Sequence, residues 1–223
     1  MILPLTLPII YSILYKKKSL NEILIITFSI ILIIIGYWPL TLGFKSTANI
    51  IPKFILFVFL PFIFLYTYER GKHNNKNIFE RIGITNKGIE RSFKLGLILI
   101  PVMLLVTYIT LPIAASINAN IDIGLGITSF IESFTEEFFF RGVLFIYLMT
   151  KTNIRIAYIT SLSSFILMHP QNFSNIFIIS TIAQGLLTTE ICRKTKNLAG
   201  SWVLHGTNRF FTIIILPLLS LLI

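Results

Sequence analysis

The stretch "SFTEEFFFRG", Ser133 to Gly142, sets two adjacent carboxylates and a guanidinium inside a long apolar run. Of the nine acidic residues in the chain, Glu132, Glu136, Glu137 and Glu190 fall within apolar segments. An ionised residue at the middle of a membrane helix costs about 2.5–3.5 kcal/mol on insertion scales. Such residues face a bundle interior or a wet cavity, and they are functional-site candidates by default. Helical spacing sorts them. Glu137 and Arg141 are i,i+4 with the acid on the N-terminal side, the better orientation for a pair. Glu132 and Glu136 share a face, whereas Glu136 and Glu137 are about 100° apart at 3.6 residues per turn. The economical reading is that Arg141 holds Glu137 and Glu136 is left to point into the bundle. A pair that only locks helices together is the competing reading of Glu137 and Arg141.

Two histidines lie in other apolar segments: His169 in "SSFILMHP" and His205 in "GSWVLHGTNRF", with Asn208 three residues on. A single intramembrane histidine commonly serves as an interhelical hydrogen-bond partner. Two histidines, an asparagine and a carboxylate on three segments make a better-defined set. His with Glu can deprotonate a water, and His and Asn can stabilise an oxyanion. His₂Glu is also a catalytic zinc set, although the helical HExxH signature is missing from the sequence.

In order along the chain, Glu136-Glu137-x3-Arg141, Phe165-x3-His169 and His205-x2-Asn208 resemble the motifs of the CPBP family. This is the CAAX-protease and bacteriocin-processing (Abi) group of intramembrane proteases, which includes the Rce1-type prenyl-protein endopeptidases. The resemblance spans Thr128 to Phe211. The first four apolar segments match only in being hydrophobic. It implies a proteolytic site buried among helices. Glu136 would be the general base, acting with His169 on a water; His205 and Asn208 would steady the tetrahedral intermediate; Glu137 and Arg141 would support them. Family members are described both as metal-dependent and as glutamate-type, so a divalent metal such as zinc stays open. Rce1-type members place Asn four residues after the last histidine. Here that position is Arg209, and Asn208 stands at three. Arg209 is itself an intramembrane cation, expected to pair with Glu132 or Glu137.

The elements that must hold these residues are apolar helices. The chain has 223 residues, 55% of them hydrophobic, with a mean hydropathy of +0.83, above the roughly 45–50% apolar usage of soluble domains. Continuous rather than alternating apolarity excludes a membrane β-barrel. Segments at about 2–15, 23–44, 54–68, 95–117, 127–150, 156–169, 176–192 and 198–223 predict an all-α polytopic membrane bundle. It has eight helices, or seven if the first does not span. The chain reads as a single membrane domain over 1–223. Its N-terminal helices occupy 1–118 and the core that resembles the family 127–211. The polar stretch 69–94 is the one sizeable loop, with a short amphipathic helix expected around Ile78 to Ile82.

Most of the 19 Lys and Arg fall in one set of alternate loops. The other set holds only Lys45 and Lys53. This asymmetry predicts a multi-pass cell-membrane protein with the 69–94 loop in the cytoplasm and both termini outside. It accounts for the net charge of +10 without a nucleic-acid partner. The lone Cys192 excludes an intramolecular disulfide. Phe138–Phe140 read as lipid-facing packing surface, Tyr37 and Trp38 as an interfacial belt, and Pro101, Pro112 and Pro217 as tolerated kinks. Glu190 and His73 are expected to reach water. The expected partners are the bilayer and a membrane-associated or lipid-modified peptide. A proton- or ion-coupled transporter and a non-catalytic bacteriocin immunity protein are the competing classes.

Overall fold

A computed structural model describes residues 2–42, 50–71, 77–114 and 121–220, without the side chains of 38, 40–42, 112–114 and 220. Lys45 and His73, and the side chains of Trp38 and Pro112, lie outside the described residues. Among the described residues, each predicted apolar segment is largely helical and there is no strand. They form α1 (Leu3–Tyr15) and α2 (Leu20–Leu42), then α3 (Ile50–Gly71), the short α4 (Ile78–Arg81) and α5 (Ile89–Ala114). Next is α6, which runs as an α-helix over Ile123–Glu137, widens into a π-helix over Phe138–Tyr147 and closes with the turn Leu148–Lys151. α7 is Ile154–Leu167, and a 3₁₀ turn, Pro170–Asn172, follows it. The last helices are α8 (Ile178–Thr195) and α9 (Ala199–Leu219).

Local chemistry sets the helix starts. Asn77, Asp122 and Asn153 each turn a side-chain oxygen onto a backbone N–H of the first turn, from Phe79, Leu125 and Ile156. These caps satisfy donors that have no intrahelical partner. The expected amphipathic helix in the polar loop is α4, placed by its Asn77 cap.

By length and composition, α2, α3, α5 and α9 can cross a membrane. α7 has 14 residues, about 21 Å at ~1.5 Å per residue, short of a ~30 Å hydrocarbon core. By itself it is too short to span that core, and His169 follows its C-terminus. α6 is the central helix. It packs on α3, α7, α8 and α9, and every residue of its π-helical stretch is buried. Phe138–Phe140 are thus core rather than lipid-facing. Phe139 and Phe140 meet Phe57 of α3, and Phe140 meets Phe165 of α7. A carbonyl loosened by the wider π turn, that of Phe140, accepts from Ser161 Oγ at 2.7 Å.

α9 packs most heavily on α5 and α6. The α5–α9 crossing is a backbone contact. A Cβ added at Gly200 would fall 1.8 Å from the Ser92 carbonyl oxygen, and one added at Gly96 would fall 2.6 Å from that of Gly200. Small residues allow such approach in membrane helices. Ser92 Oγ accepts from the Gly200 N–H at 2.9 Å and donates to the Asn197 carbonyl at 3.1 Å.

Two cations assigned to loops from the sequence are buried instead. Lys53 is 4% exposed, within α3. Lys151 donates to Glu22 at 2.8 Å and Glu69 at 2.9 Å. Glu69 also accepts from Tyr147 Oη and pairs with Arg81, each at 2.6 Å, so one carboxylate ties α3, α4 and α6 together. Burial follows because each ammonium finds carboxylates on a neighbouring helix, which offsets desolvation.

Candidate active site

α6 presents Glu132, Glu136 and Glu137 to different neighbours, as the helical angle requires. Glu136 is buried, 1% exposed. Its Oε1 accepts from Lys53 Nζ at 2.6 Å and from Arg209 Nη1 at 3.4 Å. Among the described residues its Oε2 has no hydrogen-bond partner, and it lies 3.9 Å from Nε2 of both His169 and His205. Three predicted site residues from three helices thus converge on one point. Ending α7 at Leu167 is what brings His169 to the depth of Glu136.

Hydrogen bonds fix the tautomers. His169 Nδ1 lies 2.9 Å from the Phe165 carbonyl oxygen. A carbonyl only accepts, so Nδ1 carries the proton, and in the neutral ring Nε2 carries the lone pair. Phe165, the first residue of the Phe-x3-His motif, therefore holds the imidazole through its backbone and stacks a tilted ring 4.8 Å from it. His205 Nδ1 lies 2.8 Å from Glu137 Oε1, which likewise turns its Nε2 toward Glu136 Oε2.

Glu137 and Arg141 form the expected intrahelical pair, but loosely, at 3.4 Å between Nε and Oε2. Arg141 is fully buried, reaches the Gly185 carbonyl at 3.3 Å and lies 4.2 Å from the Phe165 ring centroid. Arg209 meets Glu132 at 3.4 Å as well as Glu136; its expected partner Glu132 is found, and Glu137 is not among its contacts. Lys53 also contacts Glu132 Oε1. The cluster sets three carboxylates against three cations. Mutual compensation explains how it is buried.

A cavity of ≈ 250 Å³ opens beside this cluster, lined by His169, Asn172, Gln184, His205, Asn208 and Arg209 among others. Asn208 Oδ1 accepts from Thr107 Oγ1 of α5, and one Nδ2 hydrogen goes to Gln184 Oε1, each at 2.8 Å. These bonds fix the amide, and Asn208 is one of the residues lining the cavity. Thr107 shares a further hydrogen bond with Ser180 at 2.9 Å. Glu190 lies apart, bonded to Arg193 at a half-exposed helix end.

The imidazole and carboxylate lone pairs are chemically a zinc donor set, and their geometry decides whether a metal fits. Among the described residues no three His, Cys, Asp or Glu side chains are arranged to hold a metal ion. Tetrahedral ligands at ~2.0–2.2 Å stand roughly 3.3–3.6 Å apart, closer than the 3.9 Å here. Lys53 and Arg209 already occupy the other oxygen of Glu136, and their charge opposes a second cation. The residues as arranged do not fit a metal. A gap of 3.9 Å between polar atoms is one that the hydrogen bonds of a single water span.

Lys53, Thr107 and Gln184 escaped the sequence reading. For Lys53 a signal exists: "IIPKFILFVF" places a lysine inside an apolar run. Thr107 and Gln184 carry no charge and so stand out less from their apolar segments.

The fold and site define a class: a helical membrane bundle with an acid–base cluster buried beside a polar cavity. The family model for the type II CAAX prenyl endopeptidase, Rce1-like, matches residues 119–211, a segment containing Glu136, Glu137, Arg141, His169, His205 and Asn208. At the level of that family the match supports an intramembrane protease of the CAAX type. No curated protein and no solved structure matches the chain.

Proposed function

We propose that the protein is an integral endopeptidase of the cell membrane, of glutamate type, which cleaves a membrane-associated, lipid-modified peptide. The observation that carries this reading is the unpartnered Oε2 of buried Glu136, facing two imidazole lone pairs at 3.9 Å. A water in that gap donates one hydrogen to Glu136 Oε2 and the other to an imidazole Nε2, which directs an oxygen lone pair at a carbonyl in the cavity. As the water attacks, Glu136 Oε2 takes its proton and hands it on to Nε2 of His205, 3.9 Å away, which holds it until the amine leaves. Glu137 behind His205 stabilises the imidazolium, the part played by the carboxylate of a serine-protease triad. Protonated Nε2 of His205 and the remaining Nδ2–H of Asn208 donate to the oxyanion. Collapse of the intermediate breaks the C–N bond, and the stored proton goes to the leaving amine.

The test uses purified protein in proteoliposomes with an internally quenched, S-prenylated Cys-aliphatic-aliphatic-X peptide. Wild type should cleave it, and Glu136→Gln and His169→Ala should each lose about 10²-fold or more in kcat. Equal cleavage by Glu136→Gln would falsify the mechanism. Ion or proton flux abolished by Glu136→Gln, without cleavage, would indicate a transporter instead. A peptide-dependent phenotype untouched by Glu136→Gln and His205→Ala would indicate a sequestering immunity protein.

A further inference from the structure

Lys53 lies outside the segment that the family model matches, yet its Nζ is the nearest cation to Glu136, at 2.6 Å. A glutamate carboxylate turns about a broad, two-fold torsion, so its two oxygens are equivalent unless something distinguishes them. Here Lys53 and Arg209 both take Oε1, and Oε2 is the oxygen left toward the histidines. The lysine is itself held firmly. Its ammonium also contacts Glu132 and stands 5.7 Å from the Tyr37 ring centroid. Its helix is pinned to α6 by Phe54 against Phe134 and Phe57 against Phe139.

We propose that Lys53 is a positioning residue: it clamps Oε1 of Glu136 and thereby fixes Oε2 toward the gap between His169 and His205. The inference rests on Glu136 acting as the base of the proposed function. A bland alternative is that Lys53 only neutralises two buried acids. The two differ in what a charge-balanced replacement does. Lys53→Met with Glu132→Gln removes one cation and one anion together. Neutralisation alone predicts full activity from that protein. Positioning predicts a folded protein whose kcat falls about 10²-fold, as small misplacements of reacting groups do, with KM within about twofold. Lys53→Arg keeps the cation and should stay within about fivefold of wild type, given the different reach of a guanidinium.

The assay is the cleavage of the S-prenylated peptide in proteoliposomes, run beside Glu136→Gln. A charge-balanced variant with wild-type kcat overturns the proposal, and so does a folded Lys53→Arg as slow as that variant. If Glu136→Gln is inactive while the Lys53 variants are unimpaired, the lysine inference fails and the proposed function stands. If Glu136→Gln is fully active, both fail. A readout that does not depend on the peptide is the carboxylate infrared band that disappears in Glu136→Gln. It should shift in Lys53→Met/Glu132→Gln, and an unmoved band overturns the clamp.

Discussion

Nδ1 of His205 and Oε1 of Glu137 lie 2.8 Å apart, a hydrogen bond from α9 to the buried face of α6. The carboxylate can only accept, so it dictates which ring nitrogen keeps a lone pair. It also gives Glu137 a duty distinct from that of Glu136, one residue away. Glu137→Gln can offer an amide N–H to Nδ1 and turn the tautomer over. The expected result is a fall in kcat of about 10²–10⁴-fold, as a carboxylate-to-amide change behind a catalytic histidine produces elsewhere, with KM little changed. Unaltered kcat in a folded Glu137→Gln protein would remove the relay from the mechanism.

Arg209 and Glu132 pair at 3.4 Å, but Lys53 also contacts Glu132. Reversing the pair, Glu132→Arg with Arg209→Glu, therefore sets a guanidinium against the lysine ammonium. The reversed protein should be no more stable than the worse single variant. The neutral pair, Glu132→Gln with Arg209→Gln, should recover much of the loss. The pair is part-buried, so breaking it from one side should cost less than the about 3–5 kcal/mol of a fully buried pair, read as a lower thermal unfolding temperature in detergent. Rescue by the charge reversal would place Lys53 outside this cluster.

Because Oε1 of Glu136 already carries two cations, cleavage should survive metal removal. Protein dialysed against a strong chelator, with residual zinc measured, should keep its kcat within about twofold, since no Lewis acid is then needed to activate the water. Activity lost with the metal and restored by adding zinc would reverse the assignment to the glutamate type.

Gly200 tests the α5–α9 contact. A side chain there meets the Ser92 carbonyl, and backbone cannot swing aside as a flexible side chain can. Gly200→Val should cost more than the about 1–3 kcal/mol of ordinary overpacking and abolish recovery of monodisperse protein. Gly71→Ala, with nothing among the described residues within 4 Å of an added Cβ, should behave as wild type. Equal recovery of the two would mean that α5 and α9 do not cross at these glycines.

The helices were legible because lipid-compatible runs can do little else, and the site motifs because charges inside such runs are conspicuous. Glu136, His169 and His205 announce themselves in that way. What stayed hidden depends on distances between helices. The 156–169 segment marks where α7 ends, but no periodicity reveals that His169 there comes within 3.9 Å of Glu136, or that Phe138–Phe140 face inward on every side because α6 is surrounded. Lys53 was misread for a related reason. Position near a segment boundary places a lysine in a loop by default, and only the carboxylates of α6 draw it inside. Asn208, at an offset of three rather than four, is accommodated because Thr107 and Gln184 grip both ends of its amide.

The balance of three acids against three cations also bears on the order in which the chain is made. α6 reaches the bilayer bearing Glu132, Glu136 and Glu137, with Arg141 the one cation of that cluster on its own helix. Lys53 has been synthesised before it and Arg209 is still to come. Until α9 leaves the ribosome, α6 lacks one of its counter-ions and is a poor transmembrane segment by itself. Its insertion must be provisional, sheltered by the insertion machinery or by α3. A nascent chain that stops short of Arg209 should therefore be a substrate for membrane quality control rather than a stable intermediate.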